Sequence, residues 1–169
     1  MVKKLVLLFV LSSFAMTAQK KNDSKSKTYV SRKETYQIKY NLDHWIKSEE
    51  PSTNWDAEFH DKYNVVNAYF SEYDYFITDK SLKSTIEEQY KDVGEIKNLK
   101  IFKKKINGIT VNYFTCDLEY NDYLYKYQGF TCNGKGGSIQ IQYGGQAEAI
   151  ELNQSSIDEL NNSISAIIN

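Results

Sequence analysis

Three side chains with metal-binding chemistry alternate along one short segment of this chain. Asp56, Glu58 and His60 are spaced two residues apart, so in a β-strand all three point to the same face. Two carboxylates and an imidazole can bind zinc or manganese. The same alternation is typical of the solvent-facing side of an amphipathic strand. We therefore keep the three as candidate ligands only, and expect no resident metal or cofactor.

The two cysteines, Cys116 and Cys132, offer little as nucleophiles. Neither lies in a Cys-x-x-Cys motif or at the start of an expected helix, the settings that lower a thiol pKa. No Gly-x-Ser-x-Gly motif occurs, and the glycine-rich segment 134–137 is not followed by a helix as a phosphate-binding loop would be. We therefore expect no catalytic residue. A metal-dependent or cysteine hydrolase is the one enzymatic exception left open.

Tyrosine is the one residue type in clear excess, with 14 copies. Tyr69, Tyr73 and Tyr75 share one segment, and tyrosine suits recognition surfaces because it combines a large ring with a hydroxyl. We predict a partner-binding role for these three. A second group lies along an expected hairpin: Tyr120, Tyr123, Tyr125 and Tyr127. We assign that group to the core, because a helix is expected to cover its face.

The N-terminal residues have the pattern of a secretory signal peptide. Lys3 and Lys4 precede an apolar run over residues 5–15, and small residues end at Ala18. The run is shorter than the roughly 20 residues that span a bilayer, and no cysteine stands at the boundary for lipid attachment. We expect cleavage near Ala18 and a periplasmic or secreted protein, soluble and without a membrane span. An uncleaved amphipathic anchor is the alternative.

Composition and charge exclude several classes of protein. The 169 residues are 41% hydrophobic, 14% aromatic and 25% charged, as in a globular domain. The net charge is −1 and becomes more negative by two without the leader, so no basic nucleic-acid-binding surface is indicated. Residues 1–18 are read as the signal peptide, residues 19–27 as a flexible polar tether and residues 28–169 as a single domain.

Alternating apolar residues predict strands in the first half of the domain, at 36–40 and 55–60. Trp55, Ala57 and Phe59 are expected on one face, with a four-residue loop that pairs Phe59 with Val66. A strand or extension follows over 73–78. Residues 81–93 predict an amphipathic helix capped by Ser81.

The second half predicts long hairpins. Asn107-Gly108 joins strands 101–106 and 109–120. A turn at residues 121–122 pairs Cys116 with Tyr127 and Asp117 with Lys126. A five-residue glycine-rich loop leads to strand 138–143, which places Ile139 and Ile141 on the face of Tyr127. A helix over 156–168, with Ser156 and Glu159 as a capping box, ends the chain.

These elements predict an α+β fold, in which one antiparallel sheet of six or seven strands carries helices on both faces as a three-layer α/β/α sandwich. The hairpin register places Cys116 and Cys132 on opposite faces, so no disulfide is expected.

The order of elements resembles the PsbP-like superfamily, which shares its fold with Ran-binding import factors and exported bacterial proteins of the DcrB type. The resemblance spans about residues 34–168. It is carried by the strand at 36–40 followed by Trp45, the helix from Ser81, the turn at 106–109, the tyrosine-rich hairpin, the glycine-rich turn and the closing helix. It implies an exported, non-enzymatic binding or accessory domain of the bacterial envelope and supplies no catalytic residue.

The expected partner is another protein or an unidentified small ligand. The alternative function is an immunity or inhibitor protein that binds a toxin or hydrolase in the envelope.

Overall fold

A computed structural model describes residues 25–52, 55–134 and 136–167. The predicted signal peptide lies outside the described residues, as does most of the predicted tether. The elements follow in this order: β1 (Ser26–Val30), β2 (Tyr36–Asn41), β3 (Trp45–Lys47), β4 (Ala57–Asp61), β5 (Val66–Tyr73), α1 (Asp79–Tyr90), β6 (Glu95–Ile106), β7 (Ile109–Tyr120), β8 (Tyr123–Gly134), β9 (Gly137–Gln146), α2 (Ala147–Leu152), α3 (Gln154–Ser163) and β10 (Ile164–Ala166).

Seven strands form the main sheet, in the order β3-β4-β5-β9-β8-β7-β6, and every neighbouring pair is antiparallel. This confirms the predicted class, an α+β fold built on an antiparallel sheet. A second, three-stranded sheet has the order β1-β2-β10. The predicted single sheet is therefore wrong in one respect, because the strand that begins at Tyr36 belongs to this smaller sheet.

Two apolar clusters hold the layers together. On one face of the main sheet, α1 buries Leu82, Ile86 and Tyr90 against Phe114 and Leu118 of β7. On the other face, the small sheet, α2 and α3 pack over a larger core that includes buried side chains of β2, β3, β4, β5, β9 and α3. The layers are thus a helix, the main sheet, and a mixed layer of sheet and helices.

The two predicted tight hairpins are confirmed. Ile106 pairs with Ile109 across Asn107-Gly108, and both turn residues have positive φ, as that turn requires. Across the turn at residues 121–122, Cys116 pairs with Tyr127 and Asp117 with Lys126. The cross-strand pattern of apolar and opposite-charge pairs was enough to fix this register.

The β4–β5 register is shifted by two residues from the predicted one. Phe59 pairs with Ala68 rather than Val66. The buried Asp61 carboxylate causes the wider turn, because it accepts hydrogen bonds from the backbone N–H groups of Tyr63, Val65 and Val66 at 2.7–3.1 Å. A shift of two preserves the buried face, so alternation could not detect it.

Trp55 precedes β4 and does not share the face of Ala57 and Phe59, since its ring packs on Tyr69, which lies on the opposite side of the sheet. Nor does strand structure continue over 73–78, because β5 ends at Tyr73.

Helix α1 begins two residues earlier than predicted. Thr78 is the N-cap, and the Ser81 backbone N–H donates to its hydroxyl at 3.1 Å while the Ser81 hydroxyl accepts from the Thr78 backbone N–H at 2.9 Å. Ser81 is therefore the third residue of the helix, which closes the capping box, and not the cap. The helix ends at Tyr90, and Val93 is exposed.

The β8–β9 connection is also tighter than predicted, because Gly134 pairs with Gly137. Ile139 and Ile141 consequently lie on the face of Phe130 and Cys132, away from Tyr127.

The C-terminal segment is split rather than forming one helix. α2 and α3 are followed by β10, whose Ile164 pairs with Ile38 of β2. The predicted Ser156–Glu159 capping box is absent, since α3 begins at Gln154 and Glu159 instead bonds His44 and Asn41. At the other end β1 begins at Ser26, so Ser26 and Lys27 of the predicted tether are paired with β2.

Candidate functional site

The three candidate metal ligands each have a separate protein partner. The Asp56 carboxylate accepts from the backbone N–H of Glu72 at 2.7 Å. Glu58 accepts from the backbone N–H of Ser52 at 3.1 Å. Nδ1 of His60 lies 2.9 Å from the backbone oxygen of the next residue. Within the described residues no three metal-ligating side chains are grouped, so the structure does not assemble this set around a common point.

The two thiols lie on opposite faces of the main sheet and both are free. Burial raises the pKa of Cys116 to about 12, and burial also raises the pKa of Cys132. The thiolate is the nucleophilic form, so neither environment activates the sulfur. His44 lies at the surface with Nδ1 2.8 Å from Glu159 and not beside a thiol.

The structure divides the predicted set of partner-binding tyrosines. The Tyr73 hydroxyl donates to Oε1 of Gln140 at 2.9 Å and accepts from Nε2 of Gln89 in α1 at 3.3 Å, so it belongs to a polar network between helix and sheet. Tyr75 is exposed beyond the end of β5, with its ring 5.2 Å from that of Tyr73. Tyr69 lies elsewhere, in the wall of an aromatic groove.

This tyrosine groove is on the α1 side of the main sheet, where β5, β9 and β8 are neighbours. Gly144 of β9 pairs with Asn67 on one side and with Tyr127 on the other. The hollow has a volume of about 300 Å³, within the range of small-molecule sites. It is lined by Asn64, Val65, Asn67, Tyr69, Tyr125, Tyr127, Gly144, Gly145 and Gln146.

A glycine near the end of β9, Gly144, makes the groove possible. A Cβ on Gly144 would lie 2.3 Å from Cε1 of Tyr127. The Tyr127 ring therefore extends over the Gly144 backbone, a position that any larger residue would occupy itself. Glycine in a strand interior often marks such a close approach.

The two tyrosine rings of the groove, Tyr69 and Tyr127, each pack against a second aromatic ring. The ring of Trp55 packs on Tyr69 at a centroid distance of 5.0 Å and an angle of 33°. Tyr90 of α1 packs on Tyr127 at 4.5 Å. Burial raises the pKa of Tyr69 to about 12, with a further contribution from Glu58, and burial also raises the pKa of Tyr127.

Two tyrosines of the groove were assigned to the core from the sequence. Tyr125 and Tyr127 are only half-buried, because they lie at the margin of the apolar cluster beneath α1. The usable signal was Gly144 inside a strand, which lets an aromatic ring of a neighbouring strand lie over its backbone. Finding it from sequence required knowing that β5 and β8 both border β9.

The comparisons with known proteins address the fold. The sequence matches no family model and no curated protein. A solution structure of cyanobacterial PsbP (CyanoP) from Synechocystis sp. PCC 6803 matches 85% of this chain and 93% of its own length, with a TM-score of 0.50 and 15% identity. The chain has the PsbP-like fold.

Two further solved structures are similar to this PsbP-like domain. A crystal structure from Bacteroides thetaiotaomicron VPI-5482 matches 86% of the chain with a TM-score of 0.56 and 13% identity, and the chain spans half of that protein's length. LpqN, described as involved in cell envelope biogenesis of Mycobacterium tuberculosis, matches 85% of the chain and 84% of its own, with a TM-score of 0.44 and 8% identity.

No helix in the described part of the chain combines the length and apolar character needed to cross a lipid bilayer.

Proposed function

We propose that this PsbP-like domain is an exported, non-catalytic binding module of the bacterial envelope whose ligand occupies the tyrosine groove. The observation that carries the proposal is that Tyr69 and Tyr127, each packed against a second aromatic ring, flank Gly144. Aromatic rings held by packing lose little freedom on binding, so their contact area contributes efficiently to affinity.

The chemistry around the groove supports binding rather than catalysis. Its lining residues are tyrosines, amides, glycines and one valine. A binding site needs an apolar surface and a few placed polar groups, whereas general acid–base or nucleophilic catalysis needs a titratable group with a pKa near the working pH. The raised pKa values of Tyr69 and Tyr127 move these hydroxyls away from that range.

The second candidate function, an immunity or inhibitor protein, is favoured by a different surface. At the β7–β8 turn the side chains of Tyr120, Tyr123 and Leu124 are 49–59% exposed. A protruding apolar tip of this kind can insert into a cleft of another protein, as interface anchors do. An inhibitor would therefore bind through the hairpin tip and leave the groove free.

One NMR experiment distinguishes the two functions. ¹⁵N-labelled protein, isolated after export, is titrated with envelope extract, and shifts of the backbone amides are mapped. The binding module predicts perturbations at Gly144, Gly145 and Gln146 that disappear in Tyr127→Ala. Tyr75→Ala, which removes an exposed tyrosine outside the groove, is the matched control and retains them. Perturbations confined to Tyr123 and Leu124 would support the inhibitor instead, and an unchanged spectrum would contradict both.

A further inference from the structure

We propose that the ligand of the tyrosine groove is a short neutral oligosaccharide. This inference rests on the proposed function and names its ligand class. It follows from four features of the groove: its lack of charge, its aromatic faces, its unpaired amides and hydroxyls, and its extension past one end.

The lining carries no ionic side chain. Its polar groups are the carboxamides of Asn64, Asn67 and Gln146 and the hydroxyls of three tyrosines. An anionic ligand moved from water into this hollow would lose hydration without meeting a positively charged side chain, which is costly. The groove therefore favours a neutral ligand over an anion.

The aromatic surfaces favour a ligand with an apolar ring face. Tyr127 is held over Gly144 and braced by Tyr90, while Tyr69 is braced by Trp55. Rings fixed in this way present large surfaces of fixed orientation. A pyranose ring offers a matching patch of C–H groups on one face, with hydroxyls around its edge.

The polar groups of the groove suit a ligand that carries hydroxyls better than a ligand that carries backbone amides. The carboxamides of Asn64 and Gln146 and the hydroxyls of Tyr125 and Tyr127 bond no protein group within the residues that the structure covers. A carboxamide both donates and accepts, and a tyrosine hydroxyl does the same. Sugar hydroxyls also do both, whereas a proline-rich peptide presents mainly acceptors.

The shape of the groove sets the length of the ligand. Gln146 also lines a second hollow of about 350 Å³, together with Tyr123, Leu124, Ala147 and Glu148. A ligand seated on Tyr127 can therefore extend past Gln146, which suits an oligosaccharide of a few rings better than a monosaccharide.

The test is isothermal titration calorimetry of the exported protein against three neutral trisaccharides: maltotriose, cellotriose and tri-N-acetylchitotriose. At least one is expected to bind at concentrations up to about 1 mM, a modest affinity typical of a small open site. Tyr127→Ala and Asn67→Ala should each weaken binding at least tenfold. Tyr75→Ala should leave the affinity unchanged within twofold.

Three results would overturn the saccharide. The first is no heat with any trisaccharide, the second is equal binding of a trigalacturonate of the same length, and the third is binding of a proline-rich decapeptide in their place. If envelope extract still perturbs Gly144 and Gln146 in those cases, the groove remains a binding site and only the ligand class is wrong. If neither extract nor sugar acts at the groove, both proposals fail. Near-identical thermal unfolding of each variant and the wild type verifies that lost binding is not lost folding.

Discussion

At the scale of single residues, Gly129 and Gly144 are both strand glycines with no room for a side chain, but they meet different atoms. A Cβ on Gly129 would lie 2.2 Å from the backbone oxygen of Ile141, while one on Gly144 meets the Tyr127 ring. A ring can rotate away and a paired strand cannot. We expect Gly129→Ala to lower the free energy of unfolding by about 2–3 kcal/mol and Gly144→Ala by about 1 kcal/mol.

Urea denaturation measures both values. Gly144→Ala should also disturb ligand binding, because the displaced ring is a wall of the groove. A larger stability loss in Gly144→Ala than in Gly129→Ala would contradict this assignment of the contacts.

The thiols give a second residue-scale prediction. Burial raises the pKa of both cysteines, but Cys116 is 1% exposed whereas Cys132 is half-buried. Alkylation at pH 8 should therefore modify Cys132 at least tenfold faster than Cys116. Mass spectrometry of timed samples measures the two rates. Non-reducing peptide mapping should find no bridge between them, and a Cys116–Cys132 cross-link would show that the β8 register is wrong.

A substitution at His60 tests the candidate metal site. Its imidazole is half-buried on the non-core face of β4 and bonds a backbone oxygen. His60→Ala should change the free energy of unfolding by no more than about 0.5 kcal/mol, as most surface substitutions do, and purified protein should contain no stoichiometric zinc or manganese. Elemental analysis that finds about one ion per chain, lost in His60→Ala, would favour a metal-dependent hydrolase.

At the scale of elements, the turn between β4 and β5 depends on one carboxylate. Asp61 is 4% exposed and accepts three backbone hydrogen bonds. Asp61→Ala leaves those N–H groups unpaired, so we expect a loss of about 2–4 kcal/mol in the free energy of unfolding. Asp74→Ala is the control, because Asp74 is an exposed carboxylate that forms an ion pair with Lys33. Chemical denaturation of both variants tests this, and similar losses would refute the role of Asp61.

A comparison of the turns shows where sequence reasoning about elements succeeds and where it fails. The turns at 107–108 and 121–122 were predictable because short turns and paired charges admit one register. The β4–β5 turn was not, since a two-residue shift keeps Ala57 and Phe59 inward and only Asp61 decides between the registers. β10 was missed because a three-residue strand is defined by its partner and not by its own pattern.

At the scale of the whole molecule, apolar residues on both sides of the hairpins were enough to predict the fold class and to predict that both faces of the main sheet are covered. The groove could not be predicted in this way. It arises where β5 and β8 meet across β9, so its two walls come from segments that the sequence treats separately, one predicted to bind a partner and the other to fill the core.

A prediction of export also concerns the whole chain. The Lys3-Lys4 head, the short apolar run and the small residues before Gln19 predict removal of residues 1–18. Mass spectrometry of envelope protein should find an N-terminus at or near Gln19, in part cyclised to pyroglutamate. Recovery of the mature form with Met1 intact would rule out a cleaved leader.

The pairing of Ile38 with Ile164 ties the timing of folding to the end of synthesis. β2 receives one neighbour, β1, early, but its other neighbour is β10, among the last described residues. A ribosome must therefore translate past residue 166 before the small sheet can close over the core. Contacts between segments so distant in sequence also form slowly. The nascent polypeptide consequently lacks this native layer until the strand that begins at Ile164 has been made.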